Sequence, residues 1–229
     1  MTLLQTVTFF SFVFIFLPQA NICAKQKIRS RQETPSQAAA QQTNADLLLV
    51  ASANGKDQTV AYLLLDGVNP NCEDSNGDSA LMLAALGGHV TTAEWLLRAG
   101  AKPEHKNKAH FTAADLAVQN GHLLFIKLFI DNNLIDKDQR NAYGFTLLMI
   151  AAQYAHDDII QALATANADL NRESLFGHTA VALAMARGHG QTVRLLHSLG
   201  AHFPSRAVAL DYLQEKSPAM HLVLQELCK

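Results

Sequence analysis

Between residues 79 and 198 the chain repeats one arrangement of apolar and polar positions four times. A short stretch rich in alanine and leucine is followed by a tight turn, a second stretch with apolar residues at helical spacing, and a polar loop. In the last copy the spaced apolar residues are Val193, Leu195, Leu196 and Leu199. The pattern predicts first helices at 79–86, 112–119, 146–153 and 179–186, and second helices at 90–98, 123–130, 157–165 and 191–198.

The turns recur at an almost constant interval. They contain Gly88-His89, Gly121-His122, Ala155-His156 and Gly188-His189, and the steps between the histidines are 33, 34 and 33 residues. A hydroxyl residue precedes each first helix at the same interval: Ser79, Thr112, Thr146 and Thr179. A period of this size indicates stacked structural repeats, whose long surface is typical of proteins that bind other macromolecules.

The chain resembles the ankyrin repeat family, and residues 77–89 (GDSALMLAALGGH) keep most of its motif. Met82, Asp115, Met149 and Ala182 replace the motif's histidine, so we expect that histidine's hydrogen bonds to be missing. The resemblance implies an all-α ankyrin-repeat solenoid of helix-turn-helix units with hairpin-like loops and a C-terminal helical cap. It also implies a protein that binds a partner protein and catalyses no reaction.

Composition divides the chain into three parts. We expect a signal peptide at 1–24, a flexible polar linker at 25–43 and the repeat domain at 44–229. Within the domain, units are expected near 44–76, 77–109, 110–143, 144–176 and 177–205, with a cap at 206–229. The first unit fits the repeat loosely, which is typical of a capping unit.

The first 24 residues have an apolar core followed by Ile22-Cys23-Ala24, a pattern typical of a secretory signal peptide. We therefore expect an exported chain, periplasmic or secreted, that begins near Lys25. The alternative is an uncleaved membrane anchor with cytosolic repeats, because all four nearby basic residues follow the apolar core. A lipoprotein is disfavoured, because Ile22 precedes Cys23 where a small residue is required.

Charge and motif content argue against several functional classes. The repeat domain contains 14 basic and 19 acidic residues, a balance opposite to that of a nucleic-acid-binding surface. The turn histidines are interpreted as structural, and His105 and His110 have no partners at metal-ligand spacing. Asp157 and Asp158 suit a helix start. We expect no catalytic residue, cofactor, metal or small-molecule substrate; the alternative is a histidine-based metal-binding protein or enzyme.

Two further predictions concern single residues. Cys72 and Cys228 are expected at opposite ends of the stack, too far apart for a disulfide, and both should be free thiols. Trp95 lies on the apolar stripe of a second helix and is predicted to be in the core.

The loop tips and first helices contain more large apolar residues than solvated positions usually do. In the family these segments line the concave face, so we predict that a partner protein binds there. The predicted contact residues are Phe111, Tyr143, Phe145, Tyr154, Leu175, Phe176 and His178. The alternative is that Phe111 and Phe145 pack against neighbouring tips. The sequence leaves the partner open, and a secreted factor that acts on another cell is a further alternative.

Overall fold

The computed structural model of the chain describes residues 35–203. The expected signal peptide, linker residues 25–34, the cap at 206–229 and Cys228 lie outside the described residues. The repeats belong to a compact unit that begins at Gln41. No helix within 35–203 is long and apolar enough to span a membrane.

The described residues form ten α-helices in five consecutive pairs. Each pair consists of a first and a second helix and makes one unit, which confirms the all-α repeat solenoid. The helices are α1 Pro35–Ala53, α2 Asp57–Leu65, α3 Ala80–Gly87, α4 Val90–Arg98, α5 Ala113–Gln119, α6 Leu123–Asp131, α7 Leu147–Gln153, α8 Asp157–Thr165, α9 Ala180–Arg187 and α10 Gly190–Ser198. The eight helices predicted from the sequence all form, each within one residue of the predicted bounds.

The linker prediction is wrong for residues 35–43, because α1 begins at Pro35. Proline is well tolerated in the first turn of a helix, where its missing N–H would have no helical partner. Three consecutive alanines follow at 38–40, and alanine has the highest intrinsic helix propensity. Polar composition alone therefore does not distinguish the first turns of this helix from a flexible linker.

Each first helix from α3 onward begins with a hydroxyl N-cap. Ser79, Thr112, Thr146 and Thr179 are extended, and their side-chain oxygens accept the N–H of the residue three positions later at 3.3, 3.3, 3.3 and 3.2 Å. Such caps satisfy one of the free N–H groups at a helix start and contribute about 1 kcal/mol each. The cap explains why the same hydroxyl recurs in every copy.

The residues that replace the motif's histidine form different hydrogen bonds in the third and fourth units. In the third unit the Asp115 carboxylate accepts hydrogen bonds from the Thr112 N–H and hydroxyl, both at 2.8 Å, so the expected loss of hydrogen bonds is wrong there. Burial raises the pKa of the Asp115 carboxyl, and the hydrogen bonds from Thr112 oppose that rise. In the fourth unit Met149 offers only a sulfur 3.5 Å from the Thr146 nitrogen.

The turn between the two helices of a unit interlocks with the next unit. Gly55 and Gly88 have φ angles of 61° and 69°, and a Cβ on either would lie 2.5 Å from the Nδ1 atom of His89 or His122, respectively. These histidines lie one unit further along, directly before α4 and α6. Glycine suits these two positions because it adopts this backbone conformation without strain and has no Cβ to meet the ring.

The core lies between neighbouring units. Ala84, Ala117, Ala151 and Ala184 on the first helices are fully buried, as are Phe125, Phe129 and Ile126 on α6. From the second to the fifth unit, first helices contact their neighbours more extensively than second helices do. Small side chains on the first helices permit this close approach and make their side the inner one of the stack.

Two junctions between units are joined by a buried hydroxyl. The Thr92 hydroxyl donates to Asp57 at 2.5 Å, and the Thr192 hydroxyl donates to Asp157 at 2.6 Å. At the two intervening junctions the equivalent positions are apolar. Val90 and Phe125 occupy them between the second and third units, and Leu123 and Ile159 between the third and fourth units. Polar bonds therefore join the first two and the last two units, and apolar side chains occupy the same places between them.

Trp95 is not a core residue, contrary to expectation. Its side chain is 36% exposed, and the Arg98 guanidinium carbon lies 5.8 Å from the ring centroid. The buried positions of α4 are Thr92, Ala93 and Leu96, and Trp95 lies at the edge of this buried stripe. The helical period was correct, but the boundary of the buried stripe lies one residue away from Trp95.

Candidate partner-binding surface

The loop tips are hairpin-like turns built around one polar side chain. Each tip is counted with the unit whose first helix follows it. The side-chain oxygens of Asp74, Asn107, Asn141 and Ser174 each accept two backbone N–H groups, from the residues two and four positions later, at 2.7–3.2 Å. Such turns are typical of Asp, Asn and Ser, whose short side chains mimic a backbone acceptor. In the second unit the turn also forms an isolated β-bridge between Glu73 and Ser79.

These turn-forming residues were missed in the sequence analysis. Their signal was present, because the steps from Asp74 to Asn107, Asn141 and Ser174 are 33, 34 and 33 residues, the same as between the turn histidines. The variety of side chains concealed it, since three residue types perform one task.

The turns direct two consecutive side chains outward at each tip. In the fifth unit these are Leu175 and Phe176, which are 67% and 72% exposed. In the fourth unit they are Ala142 and Tyr143, and Tyr143 is 49% exposed. The equivalent residues of the second unit are Ser75 and Asn76, so only the later tips carry large apolar groups.

The predicted residues Phe111, Phe145 and His178 occupy a different position at the tip and are half-buried. Phe111 and Phe145 pack against the core rather than only against a neighbouring tip. The Phe111 ring centroid lies 5.7 Å from that of Tyr143 on the next tip, and His178 lies beside Phe176 at 6.4 Å. Phe111 and His178 therefore pack beside the more exposed Tyr143 and Phe176.

Tyr154 extends the apolar surface from the tips towards the first helices. It follows α7 directly and is 44% exposed, with its ring stacked 6.2 Å from His156. Its hydroxyl accepts a hydrogen bond from the Gln119 amide of the preceding unit at 3.3 Å. Leu86, at the edge of the face in the second unit, is 39% exposed.

Charged side chains flank the apolar tips. The position directly before the turn-forming residue is Glu73, Lys106, Arg140 and Glu173 in the second to fifth units. Lys106 and Arg140 line a crevice between the third and fourth tips, together with Asp136 and the buried Asp115. Lys108 reaches back to donate to the Ser75 carbonyl at 2.6 Å.

The turn histidines have a structural role. The Nε2 atoms of His89, His122, His156 and His189 lie 2.9–3.2 Å from main-chain carbonyl oxygens of the preceding unit. A carbonyl oxygen only accepts, so Nε2 carries the proton in each ring. His105 makes the same kind of bond to Gly77 at 2.9 Å. Among the described residues, no group of three or more His, Cys, Asp or Glu side chains is arranged to hold a metal ion.

Cys72 is half-buried, with its sulfur 3.7 Å from the Ala45 carbonyl oxygen. Burial raises the pKa of its thiol to about 11, and the negative charges of Asp46 and Glu73 add to the rise. Such a thiol is protonated at neutral pH and is a poor nucleophile. Its expected counterpart at the far end, Cys228, lies outside the described residues.

A family model for ankyrin repeats, described as three copies, matches residues 9–107, 47–141, 99–174 and 115–207 in overlapping segments. The chain belongs to the ankyrin repeat family. Ankyrin repeats mediate protein–protein interaction, and proteins of this family are generally non-catalytic. No curated protein matches this ankyrin repeat chain.

Proposed function

We propose that this ankyrin repeat protein binds a partner protein through the tips and first helices of its third to fifth units. The observation that carries the proposal is the exposure of four large apolar side chains there: Tyr143, Tyr154, Leu175 and Phe176, at 49%, 44%, 67% and 72%. We refer to these four residues as the aromatic surface. Large exposed apolar patches usually mark interaction sites.

Two properties make the aromatic surface suitable for binding. Hydrogen bonds within each turn hold its tip residues, so little conformational entropy is lost when a partner orders them. Tyrosine and phenylalanine also present a large contact area with few rotatable bonds, and aromatic residues are enriched at binding hot spots.

The test compares exposed with supporting aromatic residues. We expect Tyr143→Ala and Phe176→Ala to weaken partner binding by about 2 kcal/mol or more, with nearly unchanged melting temperatures. Phe145→Ala is the matched control, because its half-buried ring packs against the core and its loss should cost about 1–3 kcal/mol of stability. The partner is obtained by affinity purification, and binding is measured by calorimetry. Lowered melting temperatures with undiminished affinity in both exposed variants would refute the proposal.

We also propose that residues 1–24 direct export, which would place the repeats in the periplasm or outside the cell. The apolar core and the small residue Ala24 support cleavage near Lys25. N-terminal sequencing of the native protein tests this, and the expected mature chain starts near Lys25. An intact Met1 in the membrane fraction would favour the anchored alternative with cytosolic repeats.

A further inference from the structure

Charge changes sign along the tips of the repeat units. The second tip is acidic, with Glu73, Asp74 and Asp78. The third and fourth tips carry Lys106, Lys108 and Arg140, although acidic residues outnumber basic ones in the repeat domain by 19 to 14. At the position directly before the turn-forming residue, the third and fourth tips are therefore basic, whereas the second and fifth tips are acidic.

The cations of the crevice are free to meet a ligand. Among the described residues, no ion pair within 4.0 Å involves Lys106 or Arg140, and both side chains are exposed. Two carboxylates line the same crevice. Asp115 is buried and its carboxylate accepts two hydrogen bonds from Thr112, while Asp136 accepts a hydrogen bond from the Asp138 N–H. Both carboxylates accept hydrogen bonds, and the positive charge of Lys106 opposes the rise that burial causes in the pKa of the Asp115 carboxyl. Because neither cation is held in an ion pair within 4.0 Å among the described residues, both side chains can still meet an acceptor from outside.

We infer that the partner contributes an extended peptide segment with a carboxylate side chain close to a bulky apolar one. The inference rests on the proposed function and specifies its ligand. The carboxylate would lie at Lys106 and Arg140, and the apolar side chain would contact Tyr143, Leu175 and Phe176. Glu73 of the second tip and Glu173 of the fifth tip repel the same carboxylate, which directs it to the crevice between the third and fourth tips.

The repeat geometry also sets the spacing of the two side chains. Packed helices lie about 8–10 Å apart, which is the distance from one unit to the next. An extended peptide advances about 3.3 Å per residue. One unit therefore corresponds to about three residues, so the acidic and apolar side chains should be separated by two or three positions.

The experiment selects ligands from phage-displayed random 12-residue peptides on the purified full-length chain. We expect the enriched peptides to share an Asp or Glu two or three positions from Phe, Tyr, Trp, Leu or Ile. Selected peptides are then synthesised, and their affinity is measured by fluorescence polarisation for the unaltered chain and its variants. A melting curve confirms that each variant is folded.

Three variants separate the contributions. Lys106→Glu with Arg140→Glu should weaken the selected peptides at least tenfold and reduce the salt dependence of binding. Phe176→Ser should weaken them to a similar extent. Lys127→Glu is the charge-matched control, because Lys127 is exposed on α6, a second helix on the other side of the stack, and should leave affinity unchanged.

The outcomes distinguish the inference from the proposed function. The inference would be overturned by peptides that require Phe176 but lack acidic residues, or that bind equally well after the double charge reversal. Either outcome would still agree with binding at the aromatic surface. Peptides that bind unchanged to the Phe176→Ser variant would overturn both. The absence of enriched peptides would overturn the inference that the ligand is a peptide segment. The aromatic surface would then bind the surface of a folded partner.

Discussion

At the scale of single residues, Ala155 has the least favourable backbone conformation for its type. Its φ angle is 58°, at the turn position where Gly55, Gly88, Gly121 and Gly188 are found in the other units. A side chain in this left-handed region costs about 1–2 kcal/mol, because Cβ approaches the following carbonyl oxygen. At this turn the fourth unit therefore contains strain that is absent from the same turn of its neighbours, where glycine is found.

We expect Ala155→Gly to raise the free energy of unfolding by up to about 1 kcal/mol, since the relief of strain exceeds the greater entropy of glycine in the unfolded chain. Ala162→Gly is the matched control. Ala162 lies inside α8, where glycine costs about 1 kcal/mol relative to alanine. Urea denaturation measures both variants, and equal destabilisation by both would contradict the role of the left-handed turn.

The Cys72 thiol gives a prediction about reactivity. With a pKa of about 11, raised by burial, only about 0.1% of the thiol is ionised at pH 8. We expect iodoacetamide to modify Cys72 at least tenfold more slowly in the folded chain than in denaturant. The measurement uses a Cys23→Ser, Cys228→Ser background and peptide mass spectrometry, and equal rates in the two states would contradict it.

The same shift makes stability depend on pH in the alkaline range. The folded state retains the Cys72 proton up to a pH of about 11, while the unfolded chain releases it from about pH 9. The unfolded state therefore binds fewer protons between these values, and stability should fall as pH rises through that window. A Cys72→Ala variant should lack this part of the decline.

Residue type alone could not separate the exposed aromatics from the supporting ones. Tyr143 and Phe145 are two positions apart on one tip, yet Tyr143 is exposed and Phe145 packs against the core. The difference arises from the turn around Asn141, which directs Tyr143 outward and Phe145 towards the core. The sequence pattern located the tips, but the burial of each side chain depends on contact with neighbouring units.

At the scale of helices, the sequence predicted bounds well wherever a helix has a hydroxyl N-cap and a glycine–histidine turn. Helices α3 to α10 each agree within one residue. Helix α1 was missed at its start because it begins in a polar stretch and is followed by Gly55-Lys56 instead of a glycine–histidine turn. The capping role of Asp115 was also missed, since it depends on a side chain folding back onto Thr112.

The bond between helices α8 and α10 provides a test of how units are joined. We expect Thr192→Val to destabilise the chain by about 1–2 kcal/mol, because the Asp157 carboxylate loses its hydroxyl donor. In an Asp157→Ala background the same change should cost less. A double-mutant cycle in urea gives a coupling energy of about 0.5–1.5 kcal/mol, and additive effects would show that the bond contributes nothing.

At the scale of the whole stack, most of the largest fully buried side chains of the described residues belong to the third and fourth units. Phe125, Phe129, Leu148, Ile159 and Leu163 are all less than 2% exposed. The stability of repeat proteins is approximately a sum over units and their junctions, so units with two well-packed neighbours should open least often.

We therefore expect amide hydrogen exchange to be slowest in helices α6, α7 and α8. Exchange should be faster in the first turns of α1 and in α10, which lie towards the ends of the described stack. Mass spectrometry with peptide-level resolution makes the comparison. Uniform protection from α1 to α10 would instead indicate that the stack opens only as one cooperative unit.

The first and last of the four junctions are polar and the two between them are apolar, so each unit fits best against its correct neighbour. A misassembled stack that omitted the second unit would place the Asp57 carboxylate against the position of Phe125, and one that omitted the fourth would leave the Thr192 hydroxyl opposite Leu123. Each arrangement buries a polar group without a partner, at a cost of about 1–3 kcal/mol. The two hydroxyl–carboxylate bonds thus disfavour stacks in which the first or the fifth unit packs against the wrong neighbour.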